Sequence, residues 1–373
     1  MDRNKGKQLK ALVIAEIPAP YRVDVFLEMS KWMQMDIFFN SCKDQSRSPD
    51  YFVKSDRLTF RVLDNEESNK RFESALKHLK FYDLVIAYHP TCRPALIAEG
   101  LCRLRGIPYY VNIDGAFVNP NPVRDCVKRF VYRGARACFS GGESATNYFL
   151  HYGVKKERIF EYGFTALHEQ DIEPTVIGPE KKRALRKQLG LKEKKTVLSI
   201  GQFIPRKGFD LLLNAWTEID SADAQLLIIG GGPEKEAYEQ YILGNGLNNV
   251  YLIDFLPKEE LKRYYLAADV FVLPTREDVW GLVINEAMAN GLPVITTDMC
   301  NAGTQLIQNG FNGYIVPVDD AHALAVRIRE LLKMGSLSTI AERNLQLIRD
   351  YTIANAAISH MKAIHETMIL NET

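Results

Sequence analysis

The chain lacks any Cys-x-x-Cys pair, any Asp-x-Asp, any Gly-x-Gly-x-x-Gly after a first strand, and any apolar run near the roughly 20 residues of a membrane-spanning helix. Each absence removes a class. Without paired cysteines, the six thiols at positions 42, 92, 102, 126, 138 and 300 read as reduced and mostly buried, not as a disulfide framework or a zinc site. Without the dinucleotide glycine pattern, a nicotinamide dehydrogenase is disfavoured. No His or acid cluster has metal-ligand spacing along the chain, so no metal and no other cofactor is expected. The 47 Lys plus Arg are balanced by 46 Asp plus Glu, which argues for no nucleic-acid partner. The N-terminus, MDRNKGKQLKALVIAEIPAP, is basic and then apolar. Glu16 and Pro18 interrupt the apolar part and no clean cleavage site follows, so it reads as a charged tail entering a strand. A cytoplasmic protein is expected.

What is present is a repeated alternation. Short apolar, β-branched runs at 9–17, 35–41, 57–63, 83–89, 108–114, 135–140 and 158–163 are separated by segments of helical period such as SNKRFESALKHLK and PALIAEGLCRLRG. A polar, charge-dense break follows at 168–195, and the alternation restarts at 196–201, 224–230, 249–255, 269–274, 293–297 and 313–318. Near-continuous apolar strands between helices predict parallel sheets covered on both faces. At 373 residues, two such domains fit the length. The expected division is 1–170, 171–350 and a C-terminal helix at 351–373 that crosses back to the first domain. Two Rossmann-like, doubly wound α/β domains facing a cleft place ligands beyond the carboxyl ends of the strands.

Three such ends in the second domain carry unusual residues. GQFIPRKGFDLLLNAW puts Gly201 and Gln202 at a strand end, then Arg206 and Lys207 before a helix. GGGPEKEAY sets Gly230, Gly231 and Gly232 before a Pro expected in a helix's first turn. TREDVWGLVINEAMANGLPVITT holds Glu277 and Asp278, a Trp-Gly turn, and Glu286 inside an apolar helical run. Acids near a helix start can simply answer the helix dipole, and glycines before a helix often only make a tight turn. Together, however, glycines, helix N-termini and two adjacent cations converge on an anion, and a diphosphate suits them without a metal. Glu286, one turn into its helix, is placed to accept from the vicinal hydroxyls of a ribose.

These residues resemble the family-4 retaining glycosyltransferases, which have the GT-B architecture. Asp278, Gly281, Leu282, Glu286, Ala287, Met288, Ala289, Gly291, Pro293 and Val294 follow the family's acid-to-Glu pattern, with Asp in place of the first Glu. Gly201, Pro205, Lys207, Gly208, Leu212 and Leu213 match a second motif. The resemblance is strong over about 195–335 and rests on layout before that. It implies sugar transfer with retention from a nucleoside-diphosphate sugar, UDP first and GDP second, onto a saccharide or lipid-linked saccharide in glycan biosynthesis. Arg206 and Lys207 would hold the diphosphate with backbone N–H groups at Gly281, Leu282 and Val283. Glu286 would bind the ribose, Asp278 the donor sugar, and Phe255 and Leu256 the nucleobase.

Three departures fall on the sugar and acceptor side. Gln202 stands where an Arg is common, Asp114 where many relatives have a His, and the first glycine-rich loop is replaced by Glu16 to Arg22. Tyr21, Arg22 and His89 are then candidates for acceptor contact, and Asp114, at the position near the donor sugar, is a catalytic candidate. The segment 121–136 places Arg124, Lys128, Arg129, Arg133 and Arg136 near helical spacing with Val127, Phe130 and Val131, so it suits either a solvated face or peripheral contact with the inner membrane surface. A nucleotide-sugar epimerase and a degenerate transferase serving as a binding partner remain as alternatives.

Overall fold

In a computed structural model, residues 8–42, 52, 58–219 and 223–369 are described. The basic tail at 1–7 lies outside them, as does residue 57 of the expected strand 57–63. The chain divides into two compact units, one taking the chain up to Ala166 and again from Thr352, the other running from Leu167 to Tyr351.

The first unit holds β1 (Leu9–Ala15), β2 (Met33–Phe39), β3 (Arg61–Val62), β4 (Leu84–Ala87), β5 (Tyr109–Ile113), β6 (Ala137–Ser140) and β7 (Ile159–Glu161). They form one sheet in the order β3-β2-β1-β4-β5-β6-β7, with every pairing parallel. Helices α1 (Pro20–Met29), α2 (Glu66–Lys77), α3 (Arg93–Arg105), α4 (Pro122–Gly134) and α5 (Glu143–His151) connect them. The order reverses between β1 and β4, which is the switch point of a doubly wound sheet. The expected strand at 57–63 shrinks to two residues at the sheet edge, where, among the described residues, one side has no partner strand to reward a longer pairing.

The second unit begins where the sequence read as a linker. Residues 168–195 contain α6 (Pro179–Gln188), started by Pro179 at its first turn, as suits a residue without an N–H to offer. Its charges are anchors: Arg186 pairs with Asp269 at 2.6 Å and Lys182 donates to the Ala268 carbonyl at 2.6 Å. Then follow β8 (Lys195–Ile200), α7 (Phe209–Thr217), β9 (Ala224–Ile229), α8 (Lys235–Gly244), β10 (Val250–Ile253), α9 (Lys258–Ala267), β11 (Val270–Leu273), α10 (Leu282–Ala289), β12 (Val294–Thr297), α11 (Asn301–Leu306), β13 (Gly313–Val316), α12 (Ala321–Lys333) and α13 (Ser338–Ile348). The sheet order is β10-β9-β8-β11-β12-β13, all parallel, with its reversal between β8 and β11.

Strands β4, β6, β9, β11 and β12 are buried at every residue, which is why their sequences are continuous apolar runs and not alternations. Fully buried Phe203, Phe209 and Trp216 fill the space between α7 and the second sheet, each contributing about 1.5–3 kcal/mol of transfer free energy. The last helix, α14 (Ile353–Ile369), belongs to the first unit. Arg136 donates to its Thr367 carbonyl from Nε at 3.0 Å and Nη2 at 2.6 Å, and the Tyr110 hydroxyl bonds the Thr367 hydroxyl at 2.9 Å.

Candidate active site

In the second unit the chain leaves β8 and β11, neighbours at the switch point, in two loops that are bound to each other. After β8, Pro205–Lys207 make one tight helical turn, closed by Gly208 in the left-handed region at φ 69°. A Cβ on Gly208 would stand 2.1 Å from the Pro274 carbonyl oxygen, so only glycine allows this approach. After β11, the Arg276 N–H donates to the Arg206 carbonyl at 2.8 Å, and its guanidinium donates to the Pro205 carbonyl at 2.7 Å. That guanidinium also grips Asp210 through both Nη atoms, at 2.9 and 2.7 Å, and Asp319 through Nε at 2.7 Å. The Thr275 hydroxyl and the Arg206 carbonyl add a further bond at 3.0 Å.

This lacing puts Lys207 Nζ 2.5 Å from Asp278 Oδ2, with both side chains nearly buried. Arg206 stays exposed and donates to the Glu277 carbonyl at 2.6 Å. Helix α10 starts immediately beyond, from Gly281 at φ 97°. A Cβ there would meet Cys300 Sγ at 2.7 Å. The Ile284 N–H turns back to the Gly281 carbonyl, so Leu282 and Val283 bring their N–H groups to the helix start, where partial positive charge gathers. Glu286, one turn on, accepts from the Tyr265 hydroxyl at 2.8 Å through Oε2. Burial raises the Glu286 carboxyl above its ordinary range, and the Tyr265 bond opposes that rise. Phe255, past the end of β10, is 82% exposed, an apolar ring held in the open beside Leu256.

Two residues of the triple glycine serve contact between loops. A Cβ on Gly230 would fall 1.8 Å from the Gly201 oxygen, and one on Gly232 would fall 2.6 Å from the Phe203 oxygen. Both glycines let two strand-end loops touch, and the Phe203 N–H donates to the Gly231 carbonyl at 2.8 Å. Gly231 alone opens to space. Pro233 lies in the turn ahead of α8, which begins at Lys235 with Glu234 as its cap, so the expected Pro in the first helical turn is displaced by two residues.

In the first unit, Arg22 is 6% exposed and its Nη2 meets Asp114 Oδ2 at 2.5 Å. Asp114 Oδ1 accepts from Tyr162 Oη at 2.6 Å and from Asn112 Nδ2 at 2.9 Å. The Tyr88 ring lies under the Arg22 guanidinium at 4.4 Å. Arg22 is therefore paired with Asp114 and packed within the unit. His89 is half-exposed and bonds Glu16 through Nδ1. Tyr21 packs edge-on to Phe164 at 5.2 Å. In the basic segment, Lys128 turns inward to the Tyr152 hydroxyl at 3.1 Å, Val131 is buried and Arg136 holds α14. Val123, Val127 and Phe130 are exposed with Arg124, Arg129 and Arg133.

Sequence reasoning missed Arg276 and the segment at 299–302. The Asp278 N–H donates to the Met299 carbonyl at 2.9 Å, the Asn301 N–H to the Asp278 carbonyl at 3.2 Å, and the Ala302 N–H to the Trp280 carbonyl at 2.7 Å. No motif marks these contacts. A cation directly before two acids, as in Arg276-Glu277-Asp278, was the available signal.

Two doubly wound parallel units, the second with cations and a glycine-started helix at its switch point, have the GT-B architecture. Residues 181–346 match the family model described as glycosyl transferases group 1. A GDP-mannose-dependent alpha-(1-6)-phosphatidylinositol monomannoside mannosyltransferase of Mycolicibacterium smegmatis is 31% identical over 164 residues, 41% of this chain and 43% of that protein. Alpha-D-kanosaminyltransferase of Streptomyces kanamyceticus is 31% identical over 157 residues, 41% and 40% of the two chains. These matches span under half the length of either relative. Over the whole chain the fold is similar to Anabaena Alr3699/HepE solved with UDP, with a TM-score of 0.78, 16% identity, and 96% and 100% of the two chains covered. Sucrose-phosphate synthase of Thermosynechococcus elongatus gives 0.71 at 19% identity, covering 97% and 100%. At such identities the likeness is one of fold.

Proposed function

We propose that the chain is a retaining glycosyltransferase that moves a sugar from a nucleoside diphosphate to a saccharide or lipid-linked saccharide without a metal. The observation that carries this reading is the meeting of Lys207, Asp278 and the start of α10 at one switch point, with Glu286 one turn along. The diphosphate lies against Arg206, Lys207 and the N–H groups of Leu282 and Val283. Glu286 holds the ribose, and Phe255 with Leu256 flanks the base. As the bond from the anomeric carbon to the phosphate oxygen breaks, negative charge grows on the diphosphate, where fixed cations and helix N–H groups stabilise it most. Asp278 faces the sugar and favours positive charge at the anomeric carbon. The acceptor hydroxyl attacks from the same face, and its proton passes to the departing phosphate oxygen.

UDP is the first candidate, from the family resemblance, and GDP the second, being the donor named in the Mycolicibacterium relative. Among the described residues no helix is long and apolar enough to cross a membrane. A lipid-linked acceptor is met instead by the exposed face of α4. The test is thermal unfolding with UDP, GDP and their sugars, because a ligand at 100 times its Kd adds about 2.7 kcal/mol. The donor found is then incubated with acceptors and the product's anomeric configuration read by NMR. Absence of a shift with every nucleoside diphosphate overturns the reading, and a free, epimerised sugar nucleotide as product converts it to an epimerase.

A further inference from the structure

The first sheet has a switch point of its own, and its side chains are of a different kind. β1 pairs with β4 in the register Ile14↔Ala87 and with β2 in the register Ala15↔Phe39. Extending both registers past the strand ends sets Asn40, Glu16 and His89 in a row beyond three neighbouring strands. The chain then bends after His89, with the Cys92 N–H donating to the His89 carbonyl at 3.1 Å, and Cys92 caps α3. A carboxylate oxygen of Glu16, a ring nitrogen of His89 and Cys92 Sγ all lie within 4.8 Å of one another. Among the described residues this is the one such cluster. Asn40 Nδ2 donates to Glu16 Oε1 at 3.2 Å, which orients the carboxylate so that Oε2 faces the His89 ring.

One oxygen, one imidazole nitrogen and one sulfur donor match a borderline-soft ion that takes N and S ligands at about 2.0–2.3 Å in a tetrahedron. Magnesium and calcium, which require shells of oxygen, do not suit this set. Cys92 is 8% exposed while the His89 and Glu16 side chains are 45% and 40% exposed, so the fourth position opens toward solvent. We propose that Glu16, His89 and Cys92 form a zinc-class metal site at the switch point of the first sheet. In the metal-free chain, Glu16 and His89 bond each other directly. On binding, the ion takes the place of that bond, and both the proton held between Glu16 and His89 and the Cys92 thiol proton leave to solvent. The ion ties the ends of β1 and β4 to the start of α3. It takes no part in departure of the diphosphate, whose groups belong to the second unit, so this inference stands independently of the donor assignment.

Cobalt(II) added to the chelator-treated full chain is the probe. The expected result is a thiolate-to-cobalt charge-transfer band with tetrahedral visible bands, saturating at one ion per chain and bleached by equimolar zinc. Cys92→Ser abolishes the charge-transfer band, while Cys126→Ser, which alters an exposed thiol on α4, leaves it unchanged. Asn40→Ala, which frees the Glu16 carboxylate, weakens cobalt binding roughly ten- to hundredfold, the scale for partners of metal ligands. Circular dichroism establishes that each variant is folded, and His89→Ala, at a half-exposed position, replaces Cys92→Ser where the latter is not. No band, a band that survives both Cys92→Ser and His89→Ala, or a band lost with Cys126→Ser overturns the site.

Discussion

Lys207 and Asp278 are joined by an ion pair of 2.5 Å that bridges the ends of β8 and β11. The cation expected to hold a diphosphate and the acid expected to face a sugar are thus partners before any donor arrives. Each side chain is nearly buried, so removing one leaves the other's charge without compensation. On the proposed reading, a diphosphate arriving at the α10 start should draw Lys207 toward itself and release Asp278 to the sugar.

Lys207→Ala should therefore lower kcat/KM by about 3–4 kcal/mol, the cost of a lost preorganised donor to a developing anion. Arg206→Ala should follow in severity, because Gln202 supplies no charge in its place. Asp278→Asn should lower kcat more than it raises donor KM, since its charge matters most as the anomeric carbon becomes cationic. Donor turnover should survive EDTA. Assays of the three variants, and of wild type with and without chelator, check this on one donor. Strict dependence on added Mg²⁺ with an active Lys207→Ala enzyme would sink the mechanism.

Glu286 gives a pH signature. Burial raises its carboxyl, so it takes up a proton at higher pH than an ordinary glutamate. Donor affinity should fall as pH is lowered toward the acid range, beginning earlier than a solvent-exposed acid would allow. Tyr265→Phe removes the bond that opposes the rise, so its Kd–pH profile should move to still higher pH. Glu286→Gln should raise donor KM roughly ten- to hundredfold, matching the loss of about 1.5–3 kcal/mol for bonds to a charged acceptor, and flatten the profile. Superimposable profiles for wild type and Tyr265→Phe would rule out the coupling.

Arg276 acts through the loop it holds. Its bidentate grip on Asp210 and its bonds to Asp319 and the Pro205 carbonyl fix the turn that carries Arg206 and Lys207. Arg276→Ala should raise donor KM by roughly tenfold, about 1.4 kcal/mol, and change kcat less. Arg276→Lys should restore little, because a point charge cannot reproduce a planar fork. Equal losses in kcat and kcat/KM would instead mark Arg276 as a group acting in the transition state.

The strands of both sheets were legible because parallel strands buried on both faces must be written as apolar runs, and all thirteen runs have a counterpart. The helix at α6 was hidden because its charges, which read as a solvated linker, are spent on Asp269 and backbone carbonyls. The residues proposed for the donor side lie in short motifs, where spacing along the chain is enough to single them out. The Glu16–His89 and Arg22–Asp114 pairs join residues 73 and 92 positions apart, and only the tertiary fold brings them together. No local pattern encodes such a meeting.

The exposed face of α4 can be tested directly. Val123, Val127 and Phe130 stand open with Arg124, Arg129 and Arg133, and Arg103 lies 4.0 Å over the Phe130 ring. Binding to vesicles containing anionic lipid should exceed binding to neutral ones and weaken with salt. At about 1 kcal/mol per cation, Arg124→Glu with Arg129→Glu should reduce co-sedimentation by well over tenfold. Co-sedimentation equal on neutral and anionic vesicles would leave α4 a solvated helix.

His360 ties the C-terminal helix to the Arg22–Asp114 pair, and its protonation state decides how that helix responds to acid. The ring is fully buried against Tyr88, Phe139 and Tyr162. Nδ1 lies 2.7 Å from the Ala356 carbonyl and Nε2 3.0 Å from Asn112 Oδ1, contacts that favour a proton on each nitrogen. Burial works the other way and dominates, with Arg22 assisting, so the ring is pushed down to about 4. An unfolded histidine binds its proton near pH 6.5. Between those values the unfolded chain holds the extra proton, so stability is complete above pH 6.5 and drains away as pH falls toward 4. The loss amounts to about 3 kcal/mol at 1.36 kcal/mol per unit. Denaturant unfolding of wild type and His360→Gln at pH 7 and pH 4 isolates this contribution from that of the acids. Wild type should lose about 3 kcal/mol more than the variant over that interval. An equal loss in both, with a ring shown by NMR to be protonated at pH 7, would mean that the two acceptors prevail over burial.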